Sequence, residues 1–362
     1  MTNVTGLTCV ICDYAYPADF AGYVCTDHGN EGILDVRYDY ARIASSWTKG
    51  DLDANRNRTM WRYRPLMPIR PDAPVPPLTV GGTPMYDAKP LAADLGIAKV
   101  WVKDEGRQPT ASLKDRASAM AVVKAQERRA EVITTASTGN AAAALAGICA
   151  SVGQKNVIFV PKTAPEAKVA QLLAYGSTVA LVNGNYDAAF ELCLLAAEEY
   201  GWYNRNTGFN PFMTEGKKTA GLEILEDLEW NPPDAIFVSV GDGSIIGGVH
   251  KAMKDAVGLG WIEKTPRIYG IQSAGSDYMV QAFESGEDVL TKAPISAETL
   301  ADSISADLPR DRIKAMAAVT ETGGAYLRVS DDEILAAVPL LARGSGVFAE
   351  PAGAAAYAGL IA

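Results

Sequence analysis

From Glu131 to Gln272 the chain repeats one pattern: a short β-branched run, a tight turn, then an apolar helical stretch. Strands are expected at Glu131–Thr135, Asn156–Val160, Thr178–Val182, Asp234–Val240 and Arg267–Gln272. Helices are expected at Ala141–Val152, Pro165–Tyr175 and Tyr186–Tyr200, with another after Gly248 running to Ala256. Upstream, a helix at Ala88–Leu95 leads to a strand at Lys99–Lys103, and downstream Ser330–Ala342 reads as a capped helix. Strands alternating with helices mean parallel βαβ units, whose sheets are covered on both faces. The fold class is therefore α/β, with two open, twisted, mostly parallel sheets.

A length of 362 residues fits about two domains with a small appendage. The expected division is a ribbon over residues 1–40, a small α/β domain over 111–207, and a large α/β domain from 41–110 together with 208–362. Residues 41–78 carry Trp47, Trp61, Pro65, Pro68, Pro71, Pro74, Pro76 and Pro77, a density of proline that excludes long regular structure and suggests an arm laid over a globular body. The net charge of −10, with no basic cluster, argues against a nucleic-acid partner. No apolar run is long enough to span a bilayer, and the start at Met1 lacks the basic and apolar regions of a secretory signal. The expected location is the reducing cytoplasm.

Cysteine usage is uneven. Cys149 and Cys193 lie alone in apolar helical runs and read as core. Cys9, Cys12, Cys25 and His28 form C-x2-C, then twelve residues, then C-x2-H. In a reducing compartment that spacing reads as a four-ligand zinc site rather than as disulfides, and a closed set of four protein ligands is structural.

Three stretches carry candidate chemistry. In Pro109-Thr110-Ala111-Ser112-Leu113-Lys114-Asp115-Arg116 one lysine opens an alanine-rich helix, Ala117 to Ala125. Ser112 can cap that helix through its hydroxyl. Lys114 then lies in the first turn, where the helix dipole disfavours a cation and so favours a neutral amine or an imine. A solvated lysine at a helix start is the plain alternative. Ser137-Thr138-Gly139-Asn140 and Gly241-Asp242-Gly243-Ser244 each follow a strand and open a helix, where glycine lets backbone N–H groups approach an anion. Tight strand-to-helix turns also use glycine for steric reasons. Neither turn is a Walker loop, and the second lacks the spacing and distant acid of a dinucleotide site. An imine-forming lysine, a phosphate-cradling turn and an asparagine-bearing turn together match what pyridoxal phosphate requires.

These stretches, followed by Asn210-Pro211-Phe212-Met213-Thr214-Glu215-Gly216-Lys217-Lys218-Thr219 and Glu350-Pro351-Ala352-Gly353-Ala354, occur in an order that resembles the fold type II, tryptophan-synthase-β-like pyridoxal-phosphate enzymes. Within them the resemblance is to threonine synthases, some of which carry a similar N-terminal cysteine ribbon. It runs from about Gly81 to the end. The resemblance implies that Lys114 holds pyridoxal phosphate as a Schiff base and moves protons once freed. It implies that Asn140 bonds the ring's 3-oxygen, that Gly241, Asp242, Gly243 and Ser244 hold the cofactor phosphate, and that Ser137, Thr138 and Gly139 receive the substrate α-carboxylate. The implied substrate is a small amino acid, O-phosphohomoserine, and the implied assembly is a homodimer with the cofactor between the two sheets.

Departures from the family pattern bear on the substrate. Ala111 and Leu113 replace glycine and phenylalanine. Met213 stands where an arginine clamps the substrate phosphate, and Lys217 replaces glutamine, so Lys217 or Arg205 would take the phosphate instead. Ala352-Gly353-Ala354 offers no hydroxyl to the pyridine nitrogen, Glu350 is expected at a strand end, and the sequence stops at Ala362 in what reads as a helix. Asp302–Ser305 is a polar turn that lines either the site or the surface. The competing enzyme reading is β-elimination or β-replacement, as in threonine/serine dehydratases or cysteate synthase. The competing class is a catalytically silent, ribbon-bearing binding protein.

Overall fold

The computed structural model of the protein describes residues 3–362. The ribbon consists of β1 (Val4–Cys9), β2 (Ala15–Tyr16), β3 (Val24–Cys25) and β4 (Gly29–Tyr38), in the order β2-β1-β4-β3. β1 and β4 are antiparallel, with Cys9 opposite Leu34 and Val4 opposite Tyr38. Gly6 has no choice of residue, since a Cβ there would lie 2.5 Å from the Tyr16 carbonyl oxygen. The arm holds α1 (Tyr40–Ala44), capped by the Asp39 carboxylate, and α2 (Lys49–Ala54), opened by a Thr48/Asp51 capping box. Its prolines leave only a 3-10 segment, Met60–Leu66. Lys124 Nζ donates to the Pro68 carbonyl at 2.8 Å, which anchors the arm.

Beyond the arm come β5 (Met85–Asp87), α3 (Lys89–Leu95), β6 (Trp101–Lys103) and α4 (Lys114–Glu127). Then follow β7 (Val132–Ala136), α5 (Asn140–Val152), β8 (Lys155–Pro161), α6 (Glu166–Ala174), β9 (Thr178–Val182), α7 (Tyr186–Tyr200) and β10 (Tyr203–Asn204). The rest is α8 (Phe212–Asp227), β11 (Ala235–Ser239), α9 (Ser244–Gly258), β12 (Arg267–Ser273), α10 (Tyr278–Ser285), α11 (Arg312–Thr320), β13 (Tyr326–Val329), α12 (Asp331–Ser345) and α13 (Pro351–Ile361).

The chain forms two compact units. The first takes the described residues up to Thr26, then Ile33–Gly82 and Gly106–Lys217. Its parallel sheet has the order β10-β7-β8-β9. β8 alternates as a strand covered on both faces must. Ile158 and Val160 pack with Ala142 and Ala146 of α5 and Leu172 of α6, while Phe159 packs with Phe190 and Cys193 of α7. Cys149 and Cys193 are both fully buried, as expected of core residues, and burial raises the Cys149 thiol far above its ordinary value.

The second unit comprises Asp27–Gly32, Thr83–Glu105 and Lys218–Ala362. Its parallel sheet has the order β11-β12-β13, and β5 pairs with β6 in a separate antiparallel ribbon. Ile271 and Val329 of that sheet share a core with α3, α12 and α13. Lys218 and Asp255 form a completely buried ion pair at 2.7 Å. Among the described residues no helix is long and apolar enough to cross a membrane.

Candidate active site

Lys114 is the first residue of α4. The turn before it is held by its own side chains. The Asp115 carboxylate accepts from the Thr110 N–H at 2.7 Å and from the Thr110 hydroxyl at 2.5 Å. Ser112 Oγ accepts from the Lys114 N–H at 3.3 Å, so its hydroxyl does meet one of the orphan donors at the helix start. Leu113 already has helical φ/ψ, so Ser112, one residue earlier, stands where a capping side chain is expected. Ala111 sits at φ +58°, a left-handed conformation that an L-residue adopts at a cost. Two glycines press on the turn. A Cβ on Gly147 of α5 would lie 2.6 Å from Thr110 Cγ2, and one on Gly216 of α8 would lie 2.4 Å from the Arg116 carbonyl oxygen. The approach of Gly216 to the Arg116 backbone braces the first turn of α4, and that of Gly147 to the Thr110 methyl braces the turn before it. Lys114 itself is half-buried, between the exposed Ala111 and the fully buried Asp115 and Arg116.

Ser137–Asn140 follows the carboxyl end of β7. Asn206 Oδ1 accepts from the Ala136 N–H and from Thr135 Oγ1, both at 2.9 Å, so a side chain from beyond β10 finishes the strand. Asn204 Oδ1 accepts from the Asn206 N–H at 2.7 Å, and Asn210 Nδ2 donates to the Asn204 carbonyl at 2.7 Å. This buried asparagine set escaped the reading of the sequence. Its local mark is three asparagines within seven residues, beginning with the last residue of β10. α5 begins at Asn140 with Gly139 as its cap residue and no side-chain cap. A Cβ on Gly139 would meet nothing within 4 Å, so this glycine borders open space rather than a packed neighbour. Half-buried hydroxyls at Ser137 and Thr138, an uncapped helix start and open space suit a carboxylate or a polar ring substituent.

Farther along the same unit, Arg205 donates through Nε to Ser118 Oγ at 3.2 Å and through Nη1 to Thr207 Oγ1 at 3.1 Å. Lys217 Nζ lies 3.5 Å from the same Thr207 oxygen. Both cations are nearly inaccessible, and Met213 is fully buried.

In the second unit the Gly241–Ser244 turn follows β11 and opens α9. Its glycines serve packing as well as approach. A Cβ on Gly241 would lie 2.8 Å from Ile304 Cα, and Gly243 has φ +89° with Ala315 Cβ 2.7 Å from where its own Cβ would be. The turn Asp302–Ser305, left open in the sequence, therefore backs this loop. α9 has no side-chain cap at Gly243, so its leading N–H groups can take an anion. One of them is already engaged: the Asp242 carboxylate accepts from the Ser244 N–H at 3.0 Å. A phosphate here would be held by backbone, with the Asp242 side chain as a neighbour rather than a ligand. Glu350 is not at a strand end. It is the cap residue of α13, whose Pro351 occupies the first helical position.

In the ribbon, Cys9, Cys12, Cys25 and His28 bring one ligand atom each to within 4.8 Å of one another. Cys9 and Cys25 are buried and Cys12 is exposed, with 4.0 Å between the sulfurs of Cys12 and Cys25. Ligands at ~2.0–2.3 Å around a tetrahedral zinc stand roughly 3.3–3.8 Å apart, so the set fits with slight contraction. Burial raises the Cys9 thiol, opposed by the N–H groups of Cys12 and Ile11. A bound cation would outweigh the burial and favour the thiolate.

Comparison with known proteins shows the family. The family model described as "Pyridoxal-phosphate dependent enzyme" matches residues 77–362. The threonine synthase of Methanocaldococcus jannaschii is 37% identical over 355 residues, 97% of this chain and 86% of that protein. The threonine synthase of Methanosarcina acetivorans is 37% identical over 98% of this chain and 85% of its own length. Among solved structures, the processed threonine deaminase isoform 2 of Solanum lycopersicum superposes with a TM-score of 0.66 at 26% identity, covering 77% of this chain and 73% of that one.

Proposed function

The chain belongs to the family of pyridoxal-phosphate dependent enzymes, and from that premise we propose that it is a lyase converting O-phosphohomoserine and water to threonine and phosphate, by the threonine synthase reaction or one close to it. One observation carries the reading: Lys114 opens α4 from a turn locked by Asp115. When bound, pyridoxal phosphate supplies an electron sink for negative charge left on a substrate carbon. Lys114 holds the cofactor through its amine and, once released, moves a proton at the substrate α-carbon. Asn140 bonds the 3-oxygen of the ring, and the backbone of Gly241, Asp242, Gly243 and Ser244 holds the cofactor phosphate. Ser137, Thr138 and Gly139 orient the substrate α-carboxylate. Lys217 or Arg205, which converge on Thr207 Oγ1, takes the part of the arginine that Met213 displaces and receives the leaving phosphate.

The test is a pair of assays on the purified protein. Phosphate release with threonine formation from O-phosphohomoserine is the expected result. Keto acid from threonine or serine, with no phosphate release, would instead favour the second reading, a β-elimination or β-replacement enzyme resembling threonine/serine dehydratases or cysteate synthase. Met213 and the hydroxyl-free Ala352–Ala354 stretch favour that reading. A protein with no violet-edge absorption, in which Lys114→Ala changes nothing, would return the chain to a silent binding protein. The spacing and proximity of Cys9, Cys12, Cys25 and His28 support a structural zinc there, the location is taken as cytoplasmic, and the family resemblance implies a homodimer.

A further inference from the structure

The ribbon touches the helix that clasps the lysine turn. Tyr38 is the last residue of β4 and is buried, and its hydroxyl donates to Glu215 Oε2 at 2.5 Å across 177 positions of sequence. Glu215 is completely buried on α8. A buried carboxylate is costly without donors, so this bond constrains both partners. The next residue is Gly216, whose backbone lies against Arg116 and Ala117: a Cβ there would come within 2.4 Å of the Arg116 carbonyl oxygen and 2.9 Å of Ala117 Cα. Arg116 is two residues past Lys114 on the first turn of α4. At its other end Tyr38 is fixed by the ribbon. β4 pairs with β1 so that Val4 faces Tyr38 while Cys9 faces Leu34. The path from ribbon strand to lysine turn thus runs through one hydrogen bond and one backbone contact, all within the first unit.

We propose that Tyr38 is a positioning residue for Lys114: through Glu215 and Gly216 the ribbon sets the first turn of α4. This rests on the reading of Lys114 as the cofactor lysine. It gives the ribbon a task beyond its own stability, since the strand that carries Tyr38 is held in register by the strand that carries Cys9.

The test uses the full chain with Tyr38→Phe, which removes one hydroxyl and keeps the ring. Two readouts apply. The first is pyridoxal phosphate affinity, followed by the violet-edge absorption as cofactor is titrated into apoprotein, together with the pH midpoint of that band. The second is hydrogen exchange of the apoprotein, which needs no cofactor. The expected results are an about ten-fold loss of affinity, an ordinary size for coupling between two sites of one protein, and a displaced pH midpoint. Exchange should quicken in peptides covering Ser112–Ala117 and Phe212–Gly216. Glu215→Gln should shift both readouts in the same direction by less, and adding it to Tyr38→Phe should add little, because the two residues share one interaction. Should Tyr38→Phe fold poorly, the Glu215→Gln protein reads the same coupling. Unchanged affinity and midpoint, with faster exchange confined to residues 4–38, would overturn the proposal. A wild-type protein that binds cofactor without the absorption band would instead overturn the role of Lys114, and this inference with it.

Discussion

Ala111 holds φ at +58°, one residue ahead of Ser112 and three ahead of Lys114. The family resemblance implies glycine there, and the left-handed geometry would explain it: a Cβ costs about 1–2 kcal/mol in that region. Ala111→Gly removes that strain and loosens the unfolded chain, so it should raise the unfolding free energy by about 0.5–1 kcal/mol in denaturant melts. A loss of that size, the usual result of alanine to glycine at negative φ, would contradict the geometry. Gly139 is the complementary case. Its Cβ would meet nothing, at φ −117° and ψ −146°, so nothing in the fold demands glycine. If this space takes the substrate carboxylate as proposed, Gly139→Ala should leave the melting temperature unchanged while raising the KM for O-phosphohomoserine about ten-fold or more. A fall in melting temperature with KM unchanged would make that glycine structural.

Among the elements, α12 shows most directly how local sequence becomes a tertiary anchor. Ser330 and Glu333 form a capping box at its start, and Asp331 in its first turn accepts from Ser273 Oγ at 2.8 Å, Thr299 Oγ1 at 2.5 Å and the Leu300 N–H at 2.9 Å. Burial alone would raise the Asp331 carboxyl, but the bonds from Thr299, Leu300 and Ser273 outweigh it and hold the group below its ordinary range. A carboxyl whose folded pKa is depressed stabilises above its unfolded pKa of about 3.9, and the contribution fades as pH falls through the folded value. Asp331→Asn should therefore cost about 1–3 kcal/mol near neutral pH, and the gap to the wild type should narrow as the pH falls below the unfolded value of about 3.9. A gap independent of pH would mean packing rather than charge.

The same elements show what a sequence can disclose. β9 and α7 match their expected spans end to end, because Thr178–Val182 is apolar and partly β-branched and Tyr186–Tyr200 has Asn185 as a cap and Gly201 behind it. The parallel sheets were legible for the same reason. α8 has no helical signature in the sequence, since Thr214, Glu215, Lys217, Lys218 and Thr219 are polar yet buried. Buried charges such as Lys218 with Asp255 erase the amphipathic period that marks a surface helix. The contacts of Asn206 and Tyr38 depend on partners 70 and 177 positions away, which no local pattern encodes.

At the scale of the whole molecule, each unit carries its own parallel sheet, and in each a strand-to-helix turn presents an uncapped helix start. The ribbon adds the Cys9, Cys12, Cys25 and His28 set. Metal analysis of the purified chain should give one zinc per protein. Stripping it with a chelator should lower the melting temperature, because binding energy at a closed site is folding energy. Protein without zinc and indifferent to chelator would refute the site. The central claim concerns Lys114, and it is reached most directly by trapping. The holoenzyme is reduced with borohydride, digested and read by mass spectrometry. The account predicts a single pyridoxyl-modified peptide, with the label on Lys114. A label on another lysine, or no label in protein that has bound pyridoxal phosphate, would contradict it.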